Sequence, residues 1–271
     1  MGVQVFFVLS GYVIYQSMER HLELGAKGAF TFIKKRFLRI YPALWASLVL
    51  SFFVLITIDK KTASLTDIIS SATLTYPYVG GNAPQSVYWT LVYEQQFYLI
   101  MALLIFPFFN KTRSFLILIS SLIAIGNELG ILSNAWINST LPNHWFEFMI
   151  GISAYFIHRD KNKKTAVLIF AVLAGVGFLG NYQTITAVVT GILLLTIYKY
   201  DSILDKQFFF PLKYLGRISY SLYLVHLPIL GVVGLLTHSV WIALAACLMA
   251  GSISYYAFEN PFMAKREKQI W

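Results

Sequence analysis

Long apolar segments alternate with short polar ones along nearly the whole chain, a pattern that predicts membrane-spanning helices. Most segments approach the ~20 residues that a hydrocarbon core of ~30 Å requires. The shorter ones are expected to pack against neighbouring helices rather than stand alone in lipid. Nine segments show this character: Gly2–Met18, Phe37–Ile58, Val87–Phe109, Phe115–Leu132, Trp145–Ile157, Thr165–Gly180, Thr184–Tyr198, Ile218–Leu236 and Trp241–Phe258. The pattern predicts an all-α, polytopic transmembrane helix bundle of about nine spans.

Basic residues are confined to alternate gaps between these segments and to the adjoining segment ends. The chain has 21 Lys and Arg residues, and only Lys60 and Lys61 lie outside the alternate set. The others fall in five stretches: 20–39, 111–113, 159–164, 199–217 and 265–268. Because cytoplasmic loops retain Lys and Arg, this distribution predicts an amino terminus outside the cytoplasm and a carboxyl terminus inside it.

Composition excludes a soluble domain, since 58% of the residues are hydrophobic and 12% are charged. At bilayer-spanning length, nine spans use roughly 180 residues, so residues 1–271 are interpreted as a single membrane domain. The topology accounts for the net charge of +9, so no nucleic-acid partner is expected. Cys247 is the one cysteine, which excludes an intramolecular disulfide and a thiolate metal cluster. No spacing of His, Asp and Glu resembles a metal site.

Five short motifs carry most of the functional information. They read GVQVFFVLSGYVI at residues 2–14, KKRFLRIYPALW at 34–45, WTLVYEQQFY at 89–98, GRISYSLYLVHLP at 216–228 and FENP at 258–261. With these motifs in this order, the chain closely resembles the membrane-bound acyltransferase 3 family, O-acetyltransferase-like proteins that acylate bacterial surface glycans and related acceptors. The resemblance covers essentially the whole chain, and five ordered motifs are far more specific than any one of them.

The chain departs from the family pattern in two places. Family members typically have ten helices. The first of these carries an Arg and the His regarded as catalytic, and it directly precedes the helix that holds the first motif. The sequence of this chain does not include that first helix. The chain therefore resembles an amino-terminally incomplete member, whose transfer activity is expected to need that helix, supplied by a longer or a separately encoded chain. Gln95 also stands where the family often has a second acidic residue, so Glu94 alone keeps the charge of the third motif.

Arg36 and Arg39 are the candidate residues for binding the acyl donor. They are three residues apart, so on a helix they face the same way, and an arginine can grip phosphate through paired donors. The resemblance implies that this pair binds coenzyme A from the cytoplasmic side. The alternative is that these residues, with Lys34 and Lys35, anchor the helix end to anionic lipid.

Glu94 and His226 are the candidate catalytic residues. Glu94 lies several residues inside an apolar segment, where an ionisable side chain is costly and usually faces a polar cavity. It could orient or stabilise an imidazolium or bind the acceptor hydroxyl; the alternative is an interhelical polar contact. His226 precedes Pro228 by two residues, and proline loosens local helical hydrogen bonding. A lone intramembrane histidine is more often a packing residue than a base.

His144, Glu147 and Glu259 are the candidate substrate-binding residues. His144 and Glu147 are three apart at a predicted outer helix mouth, so they can share a face and contact a glycan. The alternative is a polar and aromatic belt at the membrane interface. Glu259 is expected to end the last helix on the cytoplasmic side, with Pro261 as the stop.

The resemblance implies an O-acyltransferase of the bacterial cytoplasmic membrane. The acyl group of cytoplasmic acyl-CoA, expected to be acetyl-CoA, passes to a hydroxyl of a cell-surface glycan or lipid-linked sugar. In this interpretation acyl-CoA is a co-substrate, and no permanently bound cofactor is expected. Membrane lipid is expected as a further partner. The alternative is a transporter or flippase for glycan or lipid precursors, with Glu94 and His226 along its path. The chain has no internal repeat of the kind that transporters often show.

Overall fold

The computed structural model describes residues 2–109, 113–131, 141–159, 164–197, 210–237 and 239–262. Over these ranges the chain is helical and contains no β-strand. The helices are α1 (Gly2–Glu19), α2 (Gly25–Thr57), α3 (Leu65–Ala72), α4 (Tyr76–Val79), α5 (Trp89–Ile105), α6 (Arg113–Glu128), α7 (Trp145–Arg159), α8 (Lys164–Leu179), α9 (Tyr182–Ile197), α10 (Phe210–Leu236) and α11 (Val240–Ser254). The all-α prediction is confirmed for this part of the chain.

Each of the nine predicted segments overlaps one of these helices. Three helical stretches in the described ranges are long and apolar enough to cross a membrane: Leu22–Thr57, Phe210–Leu236 and Val240–Phe262. Nine spans and the orientation of the termini stay predictions. Much of the basic sequence that predicts the orientation lies outside the described residues, at 110–112, 160–163, 198–209 and 263–271.

The chain divides into two compact units, and the first comprises Met1–Ile33 and Tyr93–Asp205. Its main contact joins α1 to α7 through two glycines. A Cβ at Gly11 would lie 2.2 Å from the Phe148 carbonyl oxygen, and a Cβ at Gly151 would lie 2.0 Å from that of Val8. Small residues allow membrane helices to approach this closely, and close packing is what holds them together in lipid. No side chain larger than glycine fits at either position.

The second unit comprises Lys34–Val92 and Lys206–Trp271, and a chain of hydroxyl groups ties its helices together. Pro228 has no N–H and therefore cannot donate the usual helical hydrogen bond to the Leu224 carbonyl, four residues earlier in α10. Ser47 on α2 donates to this oxygen at 2.8 Å and accepts from the Tyr88 hydroxyl at 2.7 Å. Ser51, one turn after Ser47, donates to Tyr88 at 2.9 Å. The proline therefore creates the acceptor that fixes α10 to α2.

The last helix continues further than the sequence predicts. The stop expected at Glu259 is wrong, because the helical stretch runs through Pro261 to Phe262. A π-helical turn occupies Tyr255–Glu259, with the Asn260 N–H bonded to the carbonyl five residues back at Tyr255. A proline ring clashes with the carbonyl four residues before it, and here that residue lies in the widened turn. The wide turn lets the helix accommodate Pro261.

The short helix α3 is held at its amino end by a capping box. Ser64 and Asp67 cap each other's backbone N–H groups, and Asp67 also accepts from the Asn82 N–H at 2.6 Å. Hydrogen bonds from Ser64 and Asn82 lower the pKa of Asp67 to about 2. The carboxylate thus links the start of α3 to the chain that returns after α4.

We expect this cap to be sensitive to acid in a defined window. Because the folded pKa of Asp67 is depressed, its stabilising contribution is complete above the unfolded value of about 3.9 and is lost as the pH falls towards 2. The melting temperature of wild-type protein in detergent should exceed that of Asp67→Asn from pH 7 to about pH 4, and the difference should shrink below that. A difference that disappears already near pH 5 would contradict the assignment.

Candidate active site

Glu94 lies on α5 in the first unit, 5% exposed. Its Oε1 accepts a hydrogen bond from the Tyr98 hydroxyl, one turn further along α5, and another from Ser10 Oγ of α1 at 3.5 Å. Hydroxyl donors stabilise the ionised form of a buried carboxylate. Ser10 lies on another helix, so the interhelical polar contact that the alternative describes is present, and a catalytic role for Glu94 stays a prediction.

His144 and Glu147 form a second polar site within the same unit. His144 Nδ1 lies 3.5 Å from Glu147 Oε1. The imidazole packs against the rings of Phe7 and Tyr93, with ring centres 5.1 and 4.7 Å away. Glu147 is buried, so its carboxylate is enclosed within this unit, and contact of the pair with a glycan stays a prediction.

Three buried polar atoms add hydrogen-bonding capacity to this unit. Within the described residues, Gln4 Oε1, Trp145 Nε1 and Glu147 Oε2 have no hydrogen-bond partner. Gln4 lies on α1 one turn before Phe7, the residue that contacts His144. Buried polar atoms are nearly always hydrogen-bonded in folded proteins. This concentration at the start of α1 and α7 is suited to the hydroxyl groups of a polar ligand.

The arginine pair lies on α2 in the second unit, and its two members differ in burial. Arg36 is 5% exposed and Arg39 is partly buried, whereas Lys34 in the same motif is exposed. A side chain that anchors a helix to lipid headgroups extends to the interface. The burial of Arg36 is therefore the opposite of what the anchor interpretation requires.

Glu259 is a buried carboxylate of the second unit that interacts electrostatically with Arg39. It is 2% exposed, and its Oε2 accepts a hydrogen bond from Ser221 Oγ of α10 at 2.8 Å. The charge of Arg39 acts on Glu259 through space. The Tyr220 hydroxyl, next to Ser221, donates to the Ile40 carbonyl at 2.9 Å and so ties α10 to the arginine turn of α2. The structure thus groups Arg39 with Glu259, which the sequence separates by 220 positions.

His226 is partly buried on α10, and its tautomer follows from one hydrogen bond. Nδ1 lies 2.7 Å from the Tyr223 carbonyl oxygen. A carbonyl only accepts, so Nδ1 carries the hydrogen and Nε2 of the neutral ring is the basic nitrogen. The side chain is oriented by its own helix, and its geometry is compatible with proton abstraction through Nε2.

Several residues around these sites are not found by sequence reasoning alone. Tyr98 is detectable in principle, because it stands four residues after Glu94 and so faces the same way. Ser10 has no such local signal, since its partner Glu94 lies on a helix distant in sequence. In the described ranges, no group of three or more His, Cys, Asp and Glu residues is arranged to hold a metal ion.

Comparison with known proteins gives one family and one informative relative. The family model described as an acyltransferase domain (acyltransferase 3) matches residues 1–257. A peptidoglycan O-acetyltransferase, OatA, from Listeria monocytogenes serovar 1/2a (strain ATCC BAA-679 / EGD-e) is 26% identical over 324 aligned positions, covering 96% of this chain and 51% of the relative. The chain thus spans about half the length of this relative. No solved structure matches.

Proposed function

The chain belongs to the acyltransferase 3 family, and on that premise we propose that it is an integral membrane O-acyltransferase. It moves an acyl group from cytoplasmic acyl-CoA to a hydroxyl group of a cell-surface glycan or lipid-linked sugar. The relative's name, peptidoglycan O-acetyltransferase, supports acetyl as the acyl group and a cell-wall glycan as the acceptor. The apolar helices and the family support a location in the bacterial cytoplasmic membrane.

The burial of Arg36 is the observation that carries the donor site. Arg36 is 5% exposed, and an ionisable side chain buried within a membrane protein usually marks a functional site. The phosphates of coenzyme A would interact well with two guanidinium groups on one helical face, because each can donate two parallel hydrogen bonds. Glu259 lies within the electrostatic reach of Arg39, so its carboxylate favours the charged guanidinium there.

The transfer itself needs one base and one leaving group. The acceptor oxygen attacks the thioester carbonyl carbon, the C–S bond breaks, and coenzyme A leaves as a thiol that takes up a proton. A base must remove the hydroxyl proton as the new C–O bond forms. Glu94 and the Nε2 atom of His226 are the candidate acceptors of that proton in this chain. We assign the acceptor hydroxyl to Glu94, because Ser10 and Tyr98 hold its carboxylate in a fixed, polar setting.

His144 and Glu147 are proposed to hold the acceptor sugar. A carboxylate beside an imidazole offers both an acceptor and a donor to vicinal hydroxyl groups, which is the pattern that a sugar presents. Gln4 Oε1 can accept, and Trp145 Nε1 can donate, further hydrogen bonds to such hydroxyl groups. The partly buried ring of Tyr93, which packs against the imidazole of His144, supplies an apolar wall on which a sugar face can pack.

Sealed membrane vesicles provide the test of this function. The protein, expressed at the length the cell makes, should transfer radioactive acetyl from acetyl-CoA to glycan as an alkali-labile ester. Label should appear in inverted vesicles, whose cytoplasmic face is outside, and not in right-side-out vesicles, because acetyl-CoA does not cross the membrane. Vesicles from cells that do not express the protein give the background labelling.

Two results would contradict the proposal. Equal labelling in both vesicle orientations would show that access to the donor site is not restricted to the cytoplasmic face. Movement of a lipid-linked glycan across the membrane without any acyl-CoA, and with no ester formed, would favour the transporter alternative.

A further inference from the structure

Two adjoining cavities open between α2, α3 and the chain that returns from α4, all within the second unit. The first is a groove of about 490 Å³ with apolar walls, formed by Trp45, Leu48, Val49, Phe52, Ile68 and Ala72. The second is a polar cleft of about 570 Å³, whose lining includes Lys60, Lys61, Asp67 and Asn82. Phe52 lines both cavities, so the groove and the cleft meet at this side chain.

The direction of α3 explains why the cavities lie end to end. Trp45 Nε1 donates to the carbonyl of Ala72, the last residue of α3, at 3.0 Å. The first turn of α3, at Asp67, instead lines the same cleft as Lys61 and Leu55, and Leu55 is ten residues further along α2 than Trp45. The helix α3 therefore runs back along α2, and the groove follows the eight residues from Trp45 to Phe52, a rise of about 10 Å.

The cleft combines two lysines with a carboxylate that is already engaged. Neither Lys60 nor Lys61 forms an ion pair with a carboxylate in the part of the chain that the structure describes. Asp67 is occupied by Ser64 and Asn82. Lys60 also has a left-handed backbone, with φ of 55°, a conformation that non-glycine residues rarely adopt. The cleft thus presents two available ammonium groups and a net positive lining.

We propose that the joined cavities bind one anionic phospholipid. Its phosphate lies in the cleft against Lys60 and Lys61, and part of one acyl chain lies in the groove between α2 and α3. A cationic end continuous with an apolar channel matches an amphiphile, whereas a free phosphate would use only the cleft. The charge complementarity selects an anionic over a zwitterionic headgroup.

Titration of purified protein in detergent with single phospholipids tests the site, with bound lipid counted by native mass spectrometry. Phosphatidylglycerol should bind about tenfold more tightly than phosphatidylcholine of the same chain length. The double variant Lys60→Gln/Lys61→Gln should lose that preference. Val49→Trp, which fills the groove from an exposed position, should weaken both lipids and leave the ratio between them unchanged.

A matched pair of exposed lysines controls for general charge effects. Lys27→Gln/Lys34→Gln removes the same charge from the other end of the α2 helix and should keep the wild-type preference. Loss of preference in both double variants would overturn the proposal in favour of non-specific attraction. Binding of glycerol 3-phosphate as tight as that of phosphatidylglycerol would overturn it in favour of a phosphate-only site. Circular dichroism of each variant establishes that the helices remain intact.

Discussion

Changing both Arg36 and Arg39 to alanine is expected to weaken acyl-CoA binding at least a hundredfold. Hydrogen bonds to charged groups contribute about 1.5–3 kcal/mol each, so two lost guanidinium contacts correspond to about 3–6 kcal/mol, and each 1.4 kcal/mol is a factor of ten in affinity. Lysine at both positions should restore part of the binding, since it keeps the charge but lacks the planar fork. Isothermal titration of coenzyme A into purified protein measures both effects.

The control for this experiment is the exposed neighbour Lys34. Lys34→Ala removes a charge from the same turn of α2 and should leave the affinity within about twofold of wild type. Arg36 is buried, so its removal can also destabilise the fold, and the melting temperature must be followed in parallel. The Arg-to-Lys variant separates the two effects, because it keeps the buried charge. Unchanged affinity in a folded double-alanine variant would return the pair to the role of a lipid anchor.

The variant Glu94→Gln is expected to lower the rate of acyl transfer by about 10²–10⁴, the usual contribution of a positioned acid or base. The amide keeps the shape of the side chain and one oxygen for Ser10 and Tyr98 but cannot take up a proton. Donor affinity should be unaffected. The rate is measured with acetyl-CoA and glycan in inverted vesicles, and coenzyme A binding is measured separately.

An exposed carboxylate provides the matched control for Glu94. Glu23→Gln makes the same chemical change at an exposed position and should transfer acetyl at the wild-type rate. The variant His226→Gln tests the second candidate base in the same assay. A Glu94→Gln enzyme at full rate, together with an inactive His226→Gln enzyme, would assign the proton transfer to Nε2 of His226 and leave Glu94 as an interhelical contact.

Hydropathy predicts the existence of the helices well and their ends less well. The helix α2 begins at Gly25, whereas the predicted segment begins at Phe37, because a hydropathy criterion excludes the basic stretch although Lys and Arg are good helix formers. The helix α3 escapes prediction for a similar reason. Its Ser and Asp residues dilute the apolar character, and its stability depends on a capping box and on tertiary contact with Trp45.

Sequence reasoning finds the charged candidates but not their surroundings. Motifs and spacing identify Arg36, Arg39 and Glu94, because unusual charges in apolar segments are visible in one dimension. The burial of Arg36 and the link between Ser221 and Glu259 depend on helices far apart in the chain. Those contacts follow from packing, which local patterns do not encode. For the same reason, the sequence does not identify Ser47 as the donor to the Leu224 carbonyl, which Pro228 leaves without a helical partner.

The glycine contact between α1 and α7 also has a consequence for biosynthesis. Gly11 and Phe148 are separated by about 140 residues, and ribosomes add about 5–20 residues per second. The first helix therefore waits roughly 7–30 seconds in the membrane before its partner emerges. During that interval its glycine notch and the side chain of Gln4, buried in the finished protein, lack the contact with α7. Slowing of translation before Trp145 lengthens this interval and should therefore increase degradation of the nascent chain.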